Sequence, residues 1–171
     1  MNDQNAKQDK QAVLQSLDKA REHIRSVLNR IKLDMEIYPT WTIKHVLAHL
    51  SGWDEACIAS VEALLNDNEG EMVALRGADF YNAQSVETRQ TLDYEQVRRE
   101  CEITREQLKK VIDRVPEERM RDVVALPWGG NASLYDLLEA FAEHEAEHAV
   151  EISALIDEAE AAHERANGET N

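Results

Sequence analysis

The sequence predicts an all-α protein folded as a four-helix bundle, and three observations carry that prediction. Long stretches place apolar residues at steps of three and four, the period of a helix buried along one face. Only six glycines and three prolines occur in 171 residues, and the prolines punctuate the chain between those stretches. No segment alternates apolar and polar residues as a half-buried strand does, so no strand is expected.

In the first stretch Val13, Leu14, Leu17, Ala20, Ile24, Val27, Leu28 and Ile31 share one stripe, which places helix one at about 10–33. Pro39 disfavours helix at Tyr38, so 34–40 reads as a loop. Ile43, Val46, Leu47, Leu50, Cys57, Val61, Leu64 and Leu65 then define helix two at about 42–66. The segment 67–92 is the least periodic and contains Gly70 and Gly77. It reads as a long excursion with a short helix of its own over 78–89, the kind of connection that often carries function. Asp93 is placed to cap helix three, about 94–115, whose stripe runs Val97, Cys101, Thr104, Leu108, Val111, Ile112, Val115 before Pro116 ends it. After the turn-rich PWGGNA, Ser133 and Asp136 resemble a capping box opening helix four at about 134–162. The chain reads as one domain, residues 1–171, with polar, frayed ends near 1–8 and 164–171.

A formal net charge of −15 argues against partnership with nucleic acid or an anionic membrane surface, both of which would repel it. Small molecules, cations and other proteins remain. Cys57 and Cys101 show neither C-x-x-C spacing nor a disulfide framework, which suits a reducing compartment. With no signal-like or membrane-length apolar run, a cytoplasmic protein is expected.

Helix four departs from its own pattern where it matters. Between Phe141 and Ile152 the stripe should stay apolar, yet the chain supplies His144, Glu145 and His148. Residues four apart lie one above the other on a helix, so His144 and His148 can aim ring nitrogens at one point. His49 borders the stripe of helix two near its middle and offers a third imidazole. Imidazole suits zinc, nickel or iron, and three protein ligands leave a position open for water or substrate. The competing reading is structural, since histidines four apart on a helix are common by chance.

The run His144-Glu145-Ala146-Glu147-His148 also matches the H-E-x-x-H of zinc proteases. That match is read as misleading, because only a polar tail follows and no sheet is expected. Glu145 stays as a candidate base or outer-shell residue, with a buried salt bridge as its plainer role. His23 and His163 read as surface residues, and His45 as solvent-facing in preference to an outer-shell partner. The acidic row Glu139, Glu143, Glu147 and Glu151 reads as a solvated face. Lys19, Arg21 and Arg25, or Arg98, Arg105 and Lys109, are the alternative compensation across a groove. Trp53, one turn after His49, and Trp128 in PWGG are candidates for the wall of a substrate pocket, with Asn82 from the excursion beside them; Trp41 reads as core. Gly129 and Gly130 read as a tight turn.

Three segments, TWTIKHVLAHLSGWDE around His49, DFYNA, and LPWGGNASLYDLLEAFAEHEAEH ending in His144 and His148, resemble the DinB and YfiT-like superfamily of bacterial four-helix bundles over about residues 10–156. The resemblance implies a long crossover between helices two and three, a zinc, nickel or iron ion on the three histidines, and a homodimer. It also implies kinship with thiol-dependent isomerases and transferases, and more distantly with the iron-binding part of sulfoxide synthases. The H-x-x-x-H-x-E signature of the last group is broken by Val150.

Two functions follow as expectations. One is a metal-dependent transferase or hydrolase whose ion activates a small thiol or water against an electrophile. The other is a non-catalytic, stress-related ligand-binding or dimerisation bundle with structural histidines.

Overall fold

The computed structural model describes residues 3–168. Four long helices form the bundle: α1 (Asp3–Leu28), α2 (Ile43–Leu65), α4 (Tyr94–Arg114) and α5 (Leu134–Gly168). The short α3 (Ala78–Thr88) sits in the crossover between α2 and α4. α1 packs chiefly on α5 and α2 on α4, with α3 laid against α2. Among the described residues no helix is long and apolar enough to cross a membrane.

Local chemistry accounts for the helix boundaries. Asp93 Oδ1 accepts a hydrogen bond from the Gln96 backbone amide at 2.8 Å, and Gln96 Oε1 accepts one from the Asp93 backbone amide, a reciprocal cap on α4. Ser133 Oγ accepts from the Asp136 amide at 3.1 Å at the start of α5. Helix one starts and stops earlier than its stripe implies: Ile31 stays buried, but in a turn whose amide still reaches the Val27 carbonyl.

The expectation of no strand is corrected by a small antiparallel hairpin, β1 (Val123–Ala125) paired with β2 (Asn131–Ser133). Strands of three residues are too short to show alternation. The turn between them is PWGG, and the positive φ of Gly129 and Gly130, 101° and 82°, is the conformation that favours glycine. The Ala74 amide donates to the Pro127 carbonyl at 2.8 Å, so the crossover is tied to this hairpin and Trp128 is held beside it.

The core falls into two apolar halves separated by a layer of charge. One half gathers Leu17, Cys57, Leu108 and Leu138, the other Ile24, Leu47, Cys101 and Ile152. Between them each long helix contributes one ionised side chain: Arg21, Asp54, Arg105 and Glu145, all at most 3% exposed. Arg21 Nε donates to Glu145 at 2.6 Å and its Nη2 to Asp54 at 3.2 Å, while Arg105 donates to Asp54 at 2.8 Å and also to Glu145. Two cations face two anions, and the arginines spend further donors on the Cys101 and Leu17 carbonyls. Burial pulls the Arg105 pKa down, but Asp54 and Glu145 outweigh it and hold the group above its ordinary value. Arg21 and Arg105 therefore do not compensate the acidic row of α5 from the surface. Glu143, Glu147 and Glu151 of that row are exposed.

Candidate metal centre

His49 lies on the buried face of α2, 3% exposed, and His144 and His148 stand one turn apart on α5. The Nε2 atoms converge: His49 to His144 and His49 to His148 are both 3.3 Å, and His144 to His148 is 3.1 Å. Among the described residues these three are a cluster of the kind that can hold a metal ion. An ion about 2.0–2.1 Å from each nitrogen would separate them by about 3.0 Å in octahedral and about 3.3 Å in tetrahedral geometry, so the observed triangle has the right size.

Electrostatics point the same way. Burial, then the two neighbouring imidazoles, push the His49 pKa down to about 3. Burial and His144 bring His148 down to about 4, and burial lowers His144 against the opposing pull of nearby glutamates. At neutral pH all three rings are uncharged, the state a metal requires of imidazole.

The loop before α2 supplies partners that the sequence reading missed. Tyr38 Oη lies 2.6 Å from His148 Nδ1 and donates its proton to the Glu151 carboxylate. The phenol oxygen must then accept from Nδ1–H, which leaves the Nε2 lone pair of His148 facing the other two rings. Trp41, read as core from sequence, has its ring 5.5 Å from that of His49 and borders the same cleft. Both aromatics are set by a tight turn in which Tyr38 and Trp41 form a bridge. Thr40 adopts φ 68° in it, rare for a β-branched residue, and such strain costs about 1–3 kcal/mol. The available signal was the string YPTW, turn residues between two aromatics just before a helix.

Trp53 and Asn82 meet directly, the indole Nε1 donating to Asn82 Oδ1 at 2.9 Å. Asn82 is brought there because α3 lies close on α2 at Gly52, where a Cβ would fall 2.1 Å from Ser85 Oγ. A cavity of about 270 Å³ is lined by Trp53, Trp128, Phe141, Asn82, His49 and His144, with Ala78 and Ala140. A second, of about 300 Å³, runs past Tyr38, Pro39 and Trp41 to His148 and shares His49, Asn82 and His144 with the first. Trp53, Trp128 and Asn82 thus line one cavity together with His49 and His144.

Two other expectations are corrected. Glu145 does not stand free as a base: Arg21 and Arg105 engage its carboxylate within the ionic layer, the salt-bridge role. His45 is half-buried: its Nδ1 accepts from the Thr42 amide at 2.9 Å and closes the cap of α2, while the ring stays partly exposed. Cys57 and Cys101 are both buried and unpaired.

The sequence profile of the DinB superfamily matches residues 37–152, a span that holds all three histidines. No curated protein sequence matches. Among solved structures, the mycothiol-dependent maleylpyruvate isomerase is similar at a TM-score of 0.70 and 17% identity, over 84% of this chain. This chain spans 60% of that one. YfiT from Bacillus subtilis, described as a probable metal-dependent hydrolase with an unusual four-helix bundle topology, is similar at a TM-score of 0.66 and 17% identity, over 85% of both chains. At such identities the likeness establishes a shared fold.

Proposed function

The chain belongs to the DinB superfamily, and on that premise we propose that it is a metal-dependent transferase or hydrolase in which His49, His144 and His148 hold a divalent ion. The single observation that carries this reading is the triangle of Nε2 atoms 3.1–3.3 Å on a side. Zinc, nickel and iron all suit three imidazoles. A divalent ion so held lowers the pKa of a water or low-molecular-weight thiol and supplies a nucleophile at neutral pH.

The protein's own groups have defined tasks in this scheme. Tyr38 and Glu151 keep the proton of His148 on Nδ1. Trp53, Trp128 and Asn82 line the pocket in which a small electrophile meets the nucleophile. In the transferase version the thiolate sulfur bonds to the electrophilic carbon and the leaving group departs with the thiol's proton. The mycothiol dependence of one structural neighbour and the metal-dependent description of the other support the reading. A cytoplasmic homodimer completes the proposal.

Untagged protein, assayed for conjugation of small thiols to an electrophile with and without chelator, tests it. Activity lost on chelation and restored by zinc or nickel is the expected result. A metal-free protein whose melting temperature ignores added zinc or nickel would return the histidines to a structural role.

A further inference from the structure

We propose that the cavity beside the triad binds the uncharged aromatic part of a small ligand, a choice that rests on reading the histidines as the reaction centre. The chamber is walled by three aromatic rings. Trp53 stands 5.9 Å from Trp128 and 5.8 Å from Phe141, and Trp128 stands 6.1 Å from Phe141, centroid to centroid. These are spacings at which aromatic faces and edges attract one another, and a planar ring can join them. Besides the indoles, the polar side chains of the lining are His49, His144 and Asn82. The Trp53 N–H is already spent on Asn82, so the indole offers a face and no donor.

Charge decides the class further. No Lys, Arg, Asp or Glu lines the chamber. Arg76, two residues before Ala78, has its guanidinium 3.6 Å over the Phe80 ring and is engaged there. An anionic ligand would lose hydration without gaining a cation, inside a protein whose net charge is −15. A cationic ligand would find aromatic faces but no carboxylate, and a cation–π gain of about 0.5–2 kcal/mol does not offset the desolvation of a full charge. Trp128 is 44% exposed on its glycine-bearing turn, so the chamber's wall reaches solvent at this ring. At about 270 Å³ the space lies at the small end of ligand sites, which suits a single ring.

Benzamide, benzoate and benzamidine share one size and differ in charge, which makes them the probes. They are titrated into the intact chain, zinc-loaded and after chelation, with binding read by calorimetry and tryptophan fluorescence. Benzamide should bind the chelated protein at least about tenfold more tightly than either ion. Phe141→Ala, or Trp128→Ala should the first variant not fold, should weaken benzamide by at least about fivefold. Benzoate or benzamidine binding as well as benzamide to the chelated protein, no binding of any probe, or benzamide affinity indifferent to either folded variant would overturn the assignment. Zinc content, measured on the same samples, separates this failure from a failure of the histidine reading. A His148→Ala protein that loses zinc but keeps its preference for benzamide upholds the chamber by itself.

Discussion

The Tyr38 hydroxyl oxygen lies 2.6 Å from Nδ1 of His148 and its O–H donates a hydrogen bond to Glu151, so a loop residue selects the tautomer of a helix residue 110 positions away. Outer partners of this kind orient metal-bound imidazoles and raise their basicity. Tyr38→Phe removes the oxygen while keeping the ring, and zinc affinity should fall by about 10- to 100-fold. Competition against a chromophoric chelator measures it; an unchanged constant would remove Tyr38 from the site.

The ionic layer makes a different prediction. Glu145→Gln leaves Arg21 and Arg105 short of one buried negative charge, and breaking such a network costs about 3–5 kcal/mol. Urea denaturation should show that loss, while zinc stoichiometry stays at the wild-type value. Lost turnover in a variant of undiminished stability would instead point to a catalytic carboxylate.

The depressed histidine pKa values fix the sign of a pH effect. Folded His49 titrates near 3 and His148 near 4, against 6.5 for an unperturbed ring. Below pH 6.5 the unfolded chain therefore takes up protons that the folded chain refuses. In chelator, stability should be full above that pH and decline as pH falls toward 4, by up to about 1.4 kcal/mol per unit for each such histidine. Urea midpoints at pH 7, 6 and 5 should fall for the wild type and fall less for His49→Gln. Parallel curves would show that His49 is not held neutral by burial.

The bundle was legible because α1, α2, α4 and α5 bury one face each and so repeat at three and four. His49, His144 and His148 stood out because they occupy places on those faces where the pattern calls for apolar side chains. The same logic should have exposed Arg21 and Arg105, which also sit in line with buried positions. A guanidinium, however, is read as surface unless its partner is known, and the partners Asp54 and Glu145 lie 33 to 124 residues away in sequence. Tyr38 and Trp41 were not tied to the histidines for another reason. Their approach to the histidines depends on one positive-φ turn at Thr40, which no periodicity encodes. Glu145 illustrates the limit of motifs: H-E-x-x-H names its residue type, while its surroundings commit it to two arginines.

Diffraction from crystals of the untagged protein, recorded on both sides of the absorption edge of the resident metal, tests the central claim most directly. A single anomalous peak within bonding distance of Nε2 of His49, His144 and His148 is the predicted result. Imidazoles turned away from one another, or an ion bound elsewhere with none between these rings, would contradict it.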